Sequence, residues 1–215
     1  MISRLVIATH NRKKAGEMVH ILSGRFPSLE VKTLADYPGA PEPEETGDTY
    51  AENATIKAES AAAFTGEWSL ADDAGLEVDA LRGAPGVHSK RFEGEDSSFD
   101  HKIGRILEML ADVPEEGRGA RFRCFIALSE PPPTRPPAPS VCSQGEHVTL
   151  FNAICEGRIA AERSGAGGFG YDPIFYLPEL NFTMADLTAE QKHEISHRGK
   201  VLREFSDWFA ERLSL

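Results

Sequence analysis

The chain has 215 residues, 40% of them hydrophobic and 27% charged, with a formal net charge of −11. That length allows one sizeable α/β domain, with room for two lobes that share a sheet. The acidic balance excludes general binding to a nucleic-acid backbone, which needs clustered Lys and Arg, but leaves room for a local cationic pocket that takes a small anion.

Residues 1–8 lack the long apolar core of a secretory leader, and no run approaches the ~18 apolar residues of a membrane span. The three cysteines, Cys124, Cys142 and Cys155, have no CxxC spacing and read as reduced thiols of a cytoplasmic protein.

Taken in order, residues 3–8 (SRLVIA) predict a short strand and residues 13–22 a helix, with Met18, Ile21 and Leu22 on one side. The turn between them carries Thr9, His10, Asn11, Arg12, Lys13 and Lys14. A helix N-terminus offers unpaired N–H groups and the positive end of the dipole, so this turn is either a phosphate seat or an ordinary strand-to-helix turn with solvated cations. It is not a Walker loop, because the glycines are missing. Residues 30–33 predict a second strand. Residues 37–48 (YPGAPEPEETGD) predict an exposed acidic loop, in which Glu44 and Glu45 are either metal ligands or solvated charges.

Residues 49–64 give the clearest helix, opened by a Thr49–Glu52 capping box and rich in Ala. Asn53, Lys57 and Ser60 share one stripe of it, and Lys57 either reaches a triphosphate or lies in solvent. Residues 68–72 return as a strand that ends on adjacent carboxylates, Asp72 and Asp73. Such a pair suits a hard divalent cation such as Mg²⁺, which takes oxygen ligands and keeps waters for a phosphate substrate. The plain alternative is a solvated turn. The loop GAPGVHSKR (83–91) follows, with a cationic end.

Residues 97–110 predict an amphipathic helix with Ser97 as cap, Asp100 at the box position, and Ile103, Ile106, Leu107 and Leu110 as its apolar face. After a polar turn at 113–119, residues 121–128 and 147–156 predict two strands of a long hairpin, joined by a Pro-rich insertion at 130–140 (EPPPTRPPAPS). In 164–176 (SGAGGFGYDPIFY), glycines permit close approach to a ligand, and Phe169 and Tyr171 offer flat faces to a base. A tight turn backed by core aromatics fits the same residues. Residues 174–176 predict a buried strand. A Thr188–Gln191 box opens a helix over 188–195, SHRGK (196–200) breaks it, and residues 201–213 close the chain as a helix. Lys192, His197 and Arg198 therefore gather near a helix junction. His193 and His197 stand at i, i+4, but the break at Ser196 and the lack of an HExxH acid argue against a zinc pair. Strands and helices alternate early and strands then run in sequence, which predicts a mixed sheet with helices on both faces.

Five segments, in order and at compatible spacing, resemble the Ham1-like non-canonical purine nucleoside triphosphate pyrophosphatases, also called inosine triphosphatases or dITP/XTP pyrophosphatases. They are ATHNRKK, EETGDTYAENATIKA, SLADDAGLEVDAL with GAPGVHSKRF, GGFGYDPIF, and EISHRGKVL. The resemblance covers nearly the whole chain. It implies an elongated α/β fold, a mixed β-sheet with flanking helices whose two lobes surround a central cleft, built as one domain and working as a homodimer with Mg²⁺. It implies hydrolysis of ITP, dITP and XTP to the monophosphate and pyrophosphate. Thr9, His10, Asn11, Arg12, Lys13, Lys14 and Lys57 would hold the phosphates, with Ala74 beside them. Glu44 and Asp73 would bind the metal, and Asp73 would be the base. Phe169, Gly170, Tyr171 and Asp172 would shape the nucleoside pocket, while Lys192, His197 and Arg198 would read the purine. This chain departs from the family's usual pattern at His10, where Gly is common, and at Ala74, where Ser is common and only the backbone N–H is kept. The competing readings are a Maf-like pyrophosphatase acting on pyrimidine or modified nucleotides, a non-catalytic nucleotide-binding module, and a zinc hydrolase using His193 and His197.

Overall fold

The computed structural model describes residues 2–132 and 147–213. Its strands are β1 (Arg4–Ile7), β2 (Glu30–Thr33), β3 (Trp68–Val78), β4 (Gly119–Ser129), β5 (Val148–Ile159), β6 (Phe175–Leu177) and β7 (Phe182–Thr183). They follow the order β2-β1-β3-β4-β5-β6-β7 in one mixed sheet. β1 is parallel to β2 and β3, whereas β6 is antiparallel to β5 and β7. The α-helices are α1 (Arg12–Arg25), α2 (Tyr50–Thr65), α3 (Phe99–Met109), α4 (Ala189–Ile195) and α5 (His197–Leu213). The mixed α/β class expected from the alternation of elements is the class observed. Most of the Pro-rich insertion (residues 133–140) and Cys142 lie outside the described residues.

The chain divides into two compact units. The first takes the described residues of Met1–Asp73, Phe125–Asn152 and Val201–Leu215; the second takes Ala74–Cys124 and Ala153–Lys200.

In the first unit, α1 starts where Asn11 caps it: its side-chain oxygen accepts from the N–H groups of Lys13 and Lys14. The α2 capping box is present as expected, with Thr49 accepting from the Glu52 N–H and the Glu52 carboxylate accepting from the Thr49 N–H. The helix ends at Gly66, whose φ of 70° is a left-handed conformation that costs glycine little. Ala54, Ala58 and Ala61 are buried with Val6, Ala8, Ala71 and Ala127. Small side chains let that helix lie close to the strands, which an Ala-rich sequence alone does not reveal. A second apolar group joins Phe26, Phe151, Phe205 and Phe209 through edge and stacked ring contacts.

In the second unit, Leu76, Val78, Ile103, Ile106, Phe122, Ile174 and Phe175 share one core. Arg118 is 8% exposed and donates to the carbonyls of Leu110, Val113 and Ala160, so a guanidinium joins three chain segments. α3 begins one residue later than expected. Ser98, not Ser97, caps it, because the Ser97 hydroxyl is spent on the Glu93 carbonyl. Asp100 pairs with Arg163 instead of closing a box.

Among the described residues, no helix is long and apolar enough to cross a membrane.

Candidate active site

The main correction to the sequence reading concerns the acidic pair. β3 does not end at Asp72; it runs on to Val78 as an eleven-residue strand, so Asp72 and Asp73 sit within it. Adjacent strand residues point to opposite faces of a sheet, and the two carboxylates accordingly find different partners. Asp72, with no exposed side-chain surface, lies 3.2 Å from the Lys14 ammonium of α1. Asp73 accepts from the Lys57 ammonium of α2 at 2.7 Å.

The register explains why these groups meet. Ile7, the last residue of β1, pairs with Leu70 of β3, and the Ala8 N–H donates to the Leu70 carbonyl. β3 outruns β1 from there. The turn that follows β1 and the carboxylates of β3 thus occupy the same end of two parallel strands, the position where open α/β sheets place ligands.

A third carboxylate joins this cluster. Glu45 lies 3.3 Å from the Lys57 ammonium, whereas Glu44 is exposed. Glu45 therefore shares the Lys57 ammonium with Asp73. The loop is held for this by Asn53, which is fully buried: its side-chain oxygen accepts from the Gly47 N–H at 2.8 Å and its NH₂ donates to the Gly47 carbonyl at 3.2 Å. Asn53 thus ties the loop and does not line up with Lys57 as a ligand group. A Cβ on Gly47 would collide with Glu52 and Asn53, so this close approach requires glycine.

The cluster contains three carboxylates and two ammoniums, an excess of one negative charge. Burial works against the Lys57 ammonium, but the pull of Asp73, Asp72 and Glu45 more than offsets it and keeps the group above its ordinary pKa. Burial also pushes the Asp73 carboxyl above the ordinary carboxylate range, against the pull of Lys57 and Lys14. The Asp73 Oδ2 atom is buried without a hydrogen-bond partner. A buried carboxylate oxygen left in that state is costly, and a cation relieves the cost. Among the described residues, no three His, Cys, Asp or Glu side chains converge as a ready metal cage. Mg²⁺ takes one or two carboxylates and completes its shell with water and phosphate.

The phosphate turn itself is partly self-satisfied. Asn11 occupies the N–H groups of Lys13 and Lys14, and Thr9 accepts from the Asn11 N–H. Two of the helix N–H groups that the sequence offered to phosphate are therefore engaged, and the available cations are side chains: Arg12 and Lys13 are exposed, and Lys14 is half-buried. His10 is exposed, and its Nε2 lies 3.2 Å from the Pro41 carbonyl. Ala74 follows Asp73 on β3 and is half-buried.

A second group of candidates belongs to the other unit. Asp172 accepts from the Phe169 N–H and from the Lys192 ammonium, both at 2.7 Å, and both side chains of that ion pair are nearly inaccessible. The Lys192 ammonium lies 4.4 Å, and the Arg198 guanidinium 5.6 Å, from the centre of the half-exposed Phe169 ring, so one aromatic ring is flanked by two cations. Gly168 and Gly170 hold left-handed φ values of 67° and 66°, and a Cβ on Gly168 would strike the Asp172 carboxylate. Tyr171 departs from expectation. It is 3% exposed, meets Phe99 edge-on, and donates its hydroxyl to the Ser89 carbonyl, so its face is committed to the core.

The helix break is also narrower than SHRGK suggested. Ser196 alone is extended; α5 starts at His197, and the Ser196 hydroxyl accepts from the Gly199 N–H. A Cβ on Gly199 would collide with the His193 carbonyl, which is why glycine stands there. His193 and His197 consequently belong to different helices and do not form an i, i+4 pair. His197 is buried, its ring stacked 4.8 Å from that of Phe122, and Arg198 is buried as well.

The first group offers lysines and carboxylates, which suit an anion and a cation; the second, by itself, offers an aromatic ring flanked by two cations. The profile of the Ham1 family matches residues 5–208, and the chain belongs to that family. It is 45% identical over 201 residues to the dITP/XTP pyrophosphatase of Desulforamulus reducens, spanning 94% of this chain and 92% of that one. It is 44% identical over 210 residues to the dITP/XTP pyrophosphatase of Geobacillus kaustophilus, spanning 98% and 96%. Among solved structures, a HAM1 protein from Coxiella burnetii superposes with a TM-score of 0.82 at 39% identity, covering 98% of this chain and all of that one. The Ham1 protein of Staphylococcus aureus gives 0.81 at 35% identity, covering 97% and 99%. The Maf-like alternative gains no support from these matches.

Proposed function

We propose that this protein hydrolyses non-canonical purine nucleoside triphosphates (dITP, ITP and XTP) to the monophosphate and pyrophosphate. The naming of its relatives supports the reaction, and the cluster of Lys14, Lys57, Glu45, Asp72 and Asp73 is the observation that supports its chemistry here. The enzyme works in the cytoplasm as a homodimer.

Asp73 and Glu45 would hold the divalent ion, Mg²⁺, which would supply charge compensation for the phosphate oxygens. Lys14 and Lys57 neutralise the departing pyrophosphate, each turning from its carboxylate partner to a phosphate oxygen. Asp73 orients the attacking water and takes its proton. Exposed Arg12 and Lys13 add positive potential at the entrance to the phosphate seat.

Base selection falls to the second group. Hypoxanthine and xanthine present an oxo acceptor at C6, where adenine presents an amino donor. Donors on Arg198, His197 and Lys192 pair with the oxo group and are left unpaired by adenine, a mismatch worth roughly a hundredfold or more in kcat/KM. Phe169 supplies the stacking face. Asp172, already bound to Lys192 and the Phe169 N–H, positions these two rather than reading the base itself.

The test is pyrophosphate release across a nucleoside triphosphate panel with and without Mg²⁺. The expected result is Mg²⁺-dependent turnover in which dITP, ITP and XTP exceed ATP and GTP by at least roughly a hundredfold in kcat/KM. Equal rates on all of them would defeat the base-reading part, and binding without pyrophosphate release would identify a non-catalytic module.

A further inference from the structure

The loop that carries Glu45 is fastened at both ends, and one fastening comes from the phosphate turn. At its far end, Gly47 is held by the Asn53 side chain through two hydrogen bonds. At its near end, Tyr37 and Ala40 pack against the core formed by Leu34, Ala54 and Ala58. Pro41 follows at once, and its carbonyl lies 3.2 Å from Nε2 of His10. A protonated Nε2 donates to that oxygen; the proline ring fixes its own φ, so the carbonyl is presented from a stiff residue. His10 itself sits next to Asn11, which caps α1, and its neighbour Thr9 accepts from the Asn11 N–H. Both ends of the His10–Pro41 bond are therefore mounted on ordered backbone.

We infer that His10 is a positioning residue: its imidazole latches the acidic loop to the phosphate turn and so sets where Glu45 stands relative to Asp73 and Lys57. This inference rests on the proposed function for its catalytic consequence, but the latch itself does not. Glycine at position 10 removes the donor and frees the turn backbone as well. Glutamine keeps an N–H donor the same number of bonds from Cβ, so it isolates the latch from the shape of the ring.

The experiment compares wild type, His10→Gly and His10→Gln as full-length proteins. Hydrogen exchange followed by mass spectrometry reads peptides covering residues 37–48. The expected result is roughly two- to tenfold faster exchange there in His10→Gly, the range that losing one exposed hydrogen bond allows, with near wild-type exchange in His10→Gln. Half-saturating Mg²⁺ for pyrophosphate release from dITP should rise by a similar factor in His10→Gly and should return in His10→Gln. Unchanged exchange in His10→Gly, or failure of glutamine to restore it, overturns the latch. Altered exchange with an unchanged Mg²⁺ requirement overturns its link to Glu45. If the wild type releases no pyrophosphate from dITP, the functional reading falls while the exchange comparison still decides the latch.

Discussion

Asp73 and Lys57 constrain each other tightly. Lys57 donates to one carboxylate oxygen of Asp73 and also contacts Glu45, leaving the other Asp73 oxygen buried without a hydrogen bond. A ligand that brings a cation and an anion together satisfies all of these groups at once, because the cation takes the carboxylates and the anion takes the ammoniums. The two neighbouring glutamates separate cleanly on this basis. Glu45→Gln should raise the Mg²⁺ needed for half-maximal turnover by roughly tenfold, as removal of a charged ligand does, while Glu44→Gln, on an exposed side chain, should stay within about twofold of wild type. Mg²⁺ titrations of both variants make the comparison, and a larger effect at Glu44 would move the metal ligand to that residue. Cys155 illustrates the opposite kind of buried group. Burial pushes its thiol up to about 11 and no partner in the proposed chemistry calls on it, so it serves as core packing.

Among the elements, the junction of α4 and α5 is the most demanding. Ser196 ends one helix and caps the next, and Gly199 leaves room for the His193 carbonyl. A methyl group there meets backbone rather than a flexible side chain, so Gly199→Ala should cost roughly 2–4 kcal/mol, in the range of overpacked or strained sites. Urea unfolding measures it, and a loss under 0.5 kcal/mol would show that the junction is free to open. Gly199 also shows where sequence reading stops. The five residues SHRGK (196–200) read as a break, since Gly and Ser are helix-breaking by propensity; only the packed carbonyl explains why a helix starts with glycine in its first turn. β3 was misjudged for a related reason. Two adjacent aspartates are poor strand formers, and lysines that neutralise them come from α1 and α2, distant in sequence. By contrast, β2 and the boxes that open α2 and α4 were legible, because caps and short alternating strands are specified by residues within a few positions of one another. The same contrast holds in the site. Lys14, Lys57 and Asp73 could be picked out by residue type and order, whereas the contact of Glu45 with Lys57 and the commitment of Tyr171 to the core depend on packing that no local pattern records.

At the scale of the whole molecule, the two candidate groups belong to different compact units, and each is held together by contacts within its own unit. Lys57 draws its charge balance from Asp73, Asp72 and Glu45, whereas Arg198 shares the Phe169 ring with Lys192. If phosphates are the business of the first group and the base that of the second, lesions in them should sort into two kinetic classes. Lys57→Met removes charge that every triphosphate needs, so it should lower kcat/KM for dITP and dATP together, by roughly a hundredfold, with their ratio changed less than about threefold. Arg198→Met removes a donor matched to the oxo group, so it should reduce the dITP to dATP ratio by roughly tenfold or more, mostly through loss of activity on dITP. Circular dichroism and urea midpoints of both variants separate these effects from misfolding, since each substitution removes one member of a buried charged set. A Lys57 variant that changes the ratio as strongly as the Arg198 variant would mean that the lysine senses the base, and the division of labour between the two units would have to be abandoned. The opposite outcome makes selectivity adjustable in the second unit without rebuilding the chemistry of the first.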